Sequence, residues 1–422
     1  MIDKQDNKIQ GIWWFSDNPE NQVSGELFIE ERKLELNGSL EGFKSLLTIG
    51  SSSKFVSIQK EKFILGVSRK GNKKYTLEFY DQPASIIMSM PGYQSDTYSL
   101  GNIFEGAYID SLKNGFSKYY VEMPHIFEWI NNSIITSTIN FQADKTIKEV
   151  VVKIGSILQI EIFKNTDFKI IYIIRPDKFP LSISQETLIS QKCYLQIESL
   201  NKNLPLDEFY SIIFHLTRFL SIAVGQSLEP TSIQASADGS IDIIEVFPHF
   251  YKEISYPKIH PSEMNFVFSE LDINLQNILE KWFSQKEKYS DVFDLFSSIN
   301  TGKNKNLNNQ FNDIISAIEG YVRIEKNQLD LKLDKTIKIL NEALPEANRP
   351  LVKSDYDKIR VTRNKISHIA LKPGDEVSIL SNQEKYICLQ KMKFLLEYSF
   401  LKNIGLEESL LNKFYLNKKR LF

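Results

Sequence analysis

Near residue 264 the chain changes the period of its hydrophobic residues, and one layer type cannot accommodate both rhythms. Upstream, Lys74-Tyr75-Thr76-Leu77-Glu78-Phe79-Tyr80 alternates for most of its length. Gly25-Glu26-Leu27-Phe28-Ile29-Glu30, Lys33-Leu34-Glu35-Leu36 and Phe63-Ile64-Leu65-Gly66-Val67-Ser68 read the same way, and turns such as Arg69-Lys70-Gly71-Asn72 interrupt them. Many short period-two segments broken by Gly and Asn predict antiparallel sheet, closed as a sandwich or a barrel. Downstream, apolar residues recur at three- and four-residue spacings: Leu275, Ile278, Leu279, Trp282, then Phe311, Ile314, Ile315, Ile318, Val322. That is the rhythm of amphipathic helices packed as a bundle.

The expected fold is therefore a multidomain α+β chain, with a β-rich, sandwich-like N-terminal half and an all-α bundle at the C-terminus. Residues 1–120 form a first β-rich domain and 264–422 the bundle. Between them, 121–263 form a second β-rich region that the pattern leaves open as continuous with the first. Its strands are predicted at Lys148–Ile154, Leu158–Phe163, Cys193–Ile197 and Ile241–Phe247. It carries one inserted helix, Leu206–Ala223, with Pro205 before it and Gly225 after it. In the bundle, residues 301–310 read as a polar loop. Helices are expected at Asp334–Leu344, at Asp355–Leu371 before Pro373-Gly374, and at Glu384–Ile404 before Gly405, with a short one to follow.

The chain has 422 residues, enough for two or three domains, and a formal net charge of -2, so any nucleic-acid site must be a local patch. Cys193 and Cys388 lie far apart, which argues against a disulfide framework or a zinc site and fits a reducing compartment. His125, His215, His249 and His260 are scattered without metal-ligand spacing, so no metal and no cofactor is expected. The start, Met1-Ile2-Asp3-Lys4-Gln5-Asp6-Asn7, lacks the apolar core of a signal peptide, and the run Phe168–Ile174 is too short to span a bilayer. The expectation is a cytoplasmic protein with no membrane partner.

One segment carries chemistry: Arg363-Asn364-Lys365-Ile366-Ser367-His368, inside the Asp355–Leu371 helix. Asn364 and His368 are four apart and share a face. Arg363 and His368 lie about 140° apart around the helix and about 7.5 Å apart along it. Ile359, Ile366 and Ile369 form a core-facing stripe with Arg363 near its edge. An arginine fork fits phosphate oxygens, and a histidine exchanges protons near neutral pH. Beside an RNA phosphate, that pair could drive attack by the 2'-hydroxyl and leave a 2',3'-cyclic phosphate, with DNA spared. Asn364 would orient the phosphate or the imidazole, and Lys358, Arg360 and Lys365 would hold the RNA backbone. Basic residues on a single helix are also the ordinary composition of a solvated face, and by pattern alone that reading is the commoner one.

The segment resembles the Arg-x4-6-His motif of the HEPN superfamily, including the polar residue directly after the arginine. The resemblance implies a helical bundle, dimerisation through the helical domain, and metal-independent ribonuclease activity. It also implies an acidic residue on an earlier bundle helix. Here that is Glu319, in Ile318-Glu319-Gly320-Tyr321, which would pair with Arg363 or orient His368 and is otherwise a solvated glutamate. The opening Gly11-Ile12-Trp13-Trp14-Phe15-Ser16-Asp17-Asn18-Pro19-Glu20-Asn21 resembles the start of the ApeA-type N-terminal domain. Such proteins join a β-rich part to a HEPN domain and act in defence against phage, which implies abortive infection by cleavage of RNA, tRNA among the candidates, in answer to a phage-derived trigger. Two alternatives stay open: a catalytically silent HEPN-like module that binds RNA or protein, and a phage-component sensor whose main activity lies in the β-rich half. Trp13 and Trp14 would stack on a ligand or, the reading favoured here, divide between a core and an interdomain contact.

Overall fold

The computed structural model describes residues 8–40, 63–80, 85–89, 93–143, 145–178, 189–236, 243–250, 255–300, 306–368 and 379–422. The first seven strands are β1 (Lys8–Phe15), β2 (Asn18–Phe28), β3 (Lys33–Leu36), β4 (Phe63–Ser68), β5 (Lys74–Phe79), β6 (Ser85–Ser89) and β7 (Tyr93–Glu105). The order β7-β3-β2-β1-β4-β5 returns to β7 through the β5–β7 pairing, so six antiparallel strands close into a barrel. β6 pairs with β7 outside that ring. Of the two closures the sequence pattern allows, this part takes the barrel.

Alternation decides what fills it. Trp13 is fully buried together with Leu27, Leu34, Ile64, Leu77 and Tyr98, whereas Ile12, one residue earlier, is exposed. Gly66 lies opposite Trp13 on β4, and a Cβ there would come within 2.1 Å of the indole. The ring therefore occupies the volume a side chain at 66 would need. Trp14 faces outward and is half-buried, its ring edge-on to Tyr108 at 5.9 Å.

The second sheet shares β7. Its strands are β8 (Lys118–Glu122), β11 (Leu158–Lys164), β12 (Phe168–Lys178), β13 (Ser190–Ser199), β14 (Ser232–Ser236) and β15 (Ile244–Phe247). The order is β11-β12-β13-β8-β14-β15-β7, every pair antiparallel. A short helix α1 (Ile126–Ile130) and a separate hairpin, β9 (Ile135–Phe141) and β10 (Ile147–Ile154), branch from it.

Helix α2 (Leu206–Val224) follows the predicted Leu206–Ala223 closely; Gly225, at φ +89°, ends it and donates its N–H to the Ser221 carbonyl at 3.0 Å. α2 is buried on nearly all sides. Phe209 stacks on Tyr119 of the sheet at 3.9 Å, while His215 meets Trp282 of the bundle. Where the period changes, the Asn265 side chain donates to the Ile222 carbonyl at 2.6 Å and the Phe266 N–H to the Ala223 carbonyl at 3.2 Å. The junction is thus hydrogen-bonded onto the end of α2.

The bundle comprises α3 (Phe268–Leu271), α4 (Leu275–Ser284), α5 (Ser290–Asn300), α6 (Leu307–Lys326), α7 (Leu333–Glu342), α8 (Lys353–His368), α9 (Asn382–Asn403) and α10 (Glu408–Lys418). α6 touches α5, α7, α8 and α9. Phe400 of α9 gathers Trp282, Tyr289, Phe293, Phe296 and Tyr321 around its ring. The polar run expected as a loop over 301–310 becomes helix from Leu307, because the Asn306 side chain accepts from the N–H groups of Asn308 and Asn309 and caps α6. The expected end of the Asp355–Leu371 helix lies outside the described residues, which follow it as far as His368. Among the described residues no helix is long and apolar enough to cross a membrane.

Candidate nucleic-acid interface

α8 carries the Arg363–His368 segment, and its start is fixed from α7. The Asn341 side chain is buried; it donates to the Leu351 carbonyl at 2.8 Å, accepts the Leu351 N–H at 3.2 Å and lies 2.8 Å from the Tyr356 hydroxyl. The Asp355 carboxylate accepts the Val352 N–H at 3.0 Å and closes the first turn. Farther along, the buried Thr362 hydroxyl accepts the Leu380 N–H at 2.9 Å and fastens α8 to the approach to α9.

Ile359 faces the core with no exposure, as its place in the apolar stripe predicts, and Ile366 packs against the same core half-buried. Ile369 lies outside the described residues. Val361 is also buried, at 3% exposure, although two residues place it about 200° from Ile359. α8 is therefore covered on two sides, and Asn364 is half-buried. Arg363 is half-buried too, and no described residue pairs with its guanidinium. Lys365 and Ser367 are exposed. His368 is the last described residue of α8, and its side chain lies outside the described residues.

The basic residues differ in how far their charge is already matched. Arg360 lies 3.5 Å from Asp357, and Lys358 lies 3.8 Å from Glu384. Glu384 belongs to the capping box that starts α9. Hydrogen bonds from the Ser381 backbone N–H and hydroxyl, with a smaller contribution from Lys358, hold its carboxyl below the usual carboxylate range. Lys365 has no counter-ion among the described residues.

Glu319 stands on α6, the helix that adjoins α8. Its carboxylate is bonded by Arg323 at 2.9 Å, and the same guanidinium nitrogen donates to the Leu331 carbonyl at 3.0 Å. With 13% side-chain exposure Glu319 is not a solvated residue. The i,i+4 spacing of Glu319 and Arg323 was open to sequence reasoning, which passed over it. Gly320 beside it lets α5 come close: a Cβ there would meet Val292 at 3.2 Å.

A cavity of about 350 Å³ lies elsewhere, between α2, α5 and the segment 227–230. Arg218 crosses its wall, bonded to Asp294 at 2.6 Å and to the Ser297 hydroxyl at 2.8 Å. Among the described residues no cluster of three or more His, Cys, Asp or Glu is placed to hold a metal ion.

Against this geometry, two family models match the chain. The one described as ApeA N-terminal domain 1 covers residues 8–282, which is the barrel, the second sheet, α2 and most of α4. The one described as Apea-like HEPN covers residues 242–410 and contains all of α8. The chain belongs to the ApeA-type anti-phage HEPN proteins. No curated protein and no solved structure gives a significant match. For an ApeA-type chain the HEPN match places its function in the RNA-binding and nuclease class and sets Arg363–His368 within the domain concerned.

Proposed function

We propose that this ApeA-type protein is a metal-independent endoribonuclease of abortive infection, with Arg363 and His368 at its centre. The observation that carries the reading is the Arg363 guanidinium: half-buried, unmatched by any described residue, and five positions from a histidine on the helix the HEPN match encloses. A charged group held partly out of water without a counter-ion is a site waiting for an anion. RNA phosphate supplies one.

In the proposed reaction His368 takes the proton of the 2'-hydroxyl, and the 2'-oxygen bonds to the adjacent phosphorus. The bond from phosphorus to the 5'-oxygen breaks, and that oxygen leaves with a proton from an imidazolium. Arg363 binds the phosphoryl oxygens as charge gathers on them. Asn364 orients the phosphate, Glu319 positions Arg363 or His368, and Lys365, Arg360 and Lys358 hold the backbone on either side. Two copies of α8 about a two-fold axis would form one cleft with two histidines, one as base and one as acid. A tRNA is the substrate class favoured, and a phage-derived trigger would release the activity.

A second reading, a silent module that binds RNA or protein, draws on the Glu319–Arg323 bond, which engages Glu319 on its own helix. Growth arrest on induced expression in phage-infected cells, compared with His368→Ala and Arg363→Ala at equal protein levels, separates the two. Loss of arrest in both folded variants, with RNA binding retained, supports the nuclease. Arrest that persists in both supports the binding module.

A further inference from the structure

Apart from Ile135 at its root, which packs against the larger core, the hairpin of β9 and β10 joins neither hydrophobic core. Its root is tied to the second sheet by the Gln191 side-chain oxygen, which accepts the Ile134 N–H at 3.1 Å, and the Gly155 N–H closes the base of the hairpin on the Ile134 carbonyl at 2.7 Å. Beyond that root only two strands remain, and an isolated hairpin is marginal in water without a layer against it.

The register sorts most of its apolar side chains onto one face. Ile139 lies opposite Val150, Phe141 opposite Ile147 and Ser137 opposite Val152, all on one face. The other face carries Thr136, Thr138, Asn140, Glu149 and Lys153 with one apolar residue, Val151, opposite Thr138, and there the Asn140 amide donates to Glu149 at 2.9 Å. The apolar face stands in water: Ile139, Phe141, Ile147, Val150 and Val152 are 49%, 61%, 59%, 54% and 43% exposed. Single exposed apolar residues are ordinary, but five contiguous ones on one face mark a contact surface.

We propose that this face packs against the same face of a second copy of the chain about a two-fold axis. It holds no ionisable side chain, so pairing it with itself buries no charge. A two-fold contact needs a self-complementary patch, and a one-sided hairpin supplies it. The two hairpins would lie about 10 Å apart as a four-stranded sandwich, which gives each its missing layer. The five side chains of both copies together offer on the order of 1,000 Å², the lower bound of a specific interface. The contact is separate from α8 and holds whether or not the chain cuts RNA.

The test uses the full chain. Sedimentation equilibrium of the wild type, Val150→Lys and Ile139→Lys, with circular dichroism to verify the fold, reads self-association directly. Oxidative cross-linking of Val150→Cys against Thr138→Cys, on the opposite face, reads which face meets its copy. The expected result is a dimer whose dissociation constant rises at least tenfold in each lysine variant, with cross-links from position 150 and none from 138. A wild type that stays monomeric, or a dimer that neither lysine weakens, overturns the proposal. Loss of phage protection in lysine variants of a chain that is monomeric throughout assigns the face to another protein and also overturns it.

Discussion

His215 of α2 and Trp282 of α4 each donate a ring N–H to the other's backbone carbonyl. The His215 Nε2 lies 2.8 Å from the Trp282 carbonyl oxygen, and the Trp282 Nε1 lies 2.9 Å from that of His215. Their rings stack at 5.0 Å, both fully buried. The pair locks the ApeA-type β-rich half to the HEPN bundle, and it accounts for a histidine that sequence could not distinguish from the other scattered ones.

This pair predicts a pH dependence. Burial pushes His215 down to about 3, against the opposing influence of its bond to Trp282. A depressed pKa means that the unfolded chain accepts a proton the native state refuses. Stability therefore falls as pH drops from about 6.5, by at most about 1.4 kcal/mol per unit. Urea denaturation at pH 7 and pH 5 is expected to show the wild type losing about 2 kcal/mol more than His215→Gln, which keeps a donor and does not titrate. Equal losses would refute the assignment.

Trp13 and Trp14 separate packing from recognition. Trp13→Ala empties the barrel and is expected to cost about 3–5 kcal/mol in denaturant unfolding, and Gly66→Val, which collides with the indole, is expected to be comparably harmful. Trp14→Ala is expected to cost about 1 kcal/mol or less, because that ring is half-buried against Tyr108 alone among the described aromatic rings. A reversed order would show that the barrel core is not built on Trp13.

Strand alternation and helical spacing made the α+β division and the limits of α2 and α9 readable, since each element buries a repeating set of side chains. Less of α8 was readable. Helical geometry put Ile359 in the core, but the burial of Val361 on the other side depends on tertiary cover that spacing does not encode. The motif named Arg363 and His368, whereas the side chains that hold α8 in place, Asn341 and Thr362, are isolated polar residues without pattern. Closure of the barrel was equally illegible, because the β5–β7 pairing is non-local.

Glu319 offers a sharper test. If its carboxylate only serves Arg323, Glu319→Gln is expected to cost about 0.5 kcal/mol, as for an ordinary i,i+4 pair, and to leave RNA cleavage unchanged. If it positions Arg363 or His368, cleavage is expected to fall at least tenfold with the melting temperature held and the pH profile displaced. Single-turnover cleavage across pH, beside thermal denaturation, distinguishes the two, and the account predicts the second.

The basic residues of α8 are expected to rank by how little their charge is already matched. RNA affinity measured between about 50 and 200 mM salt is predicted to lose close to one unit of log–log slope in Lys365→Ala. Arg360→Ala and Lys358→Ala, whose cations lie near Asp357 and Glu384, are predicted to lose less. Equal slopes in all three would place the RNA elsewhere.

The most direct measurement is end-group mass spectrometry of RNA fragments released by the protein in excess chelator, alongside Arg363→Ala and His368→Ala. The account predicts 2',3'-cyclic phosphate and 5'-hydroxyl ends from the wild type and at least a hundredfold less product from either folded variant. Fragments with 3'-hydroxyl and 5'-phosphate ends, or undiminished cleavage by both variants, would contradict it.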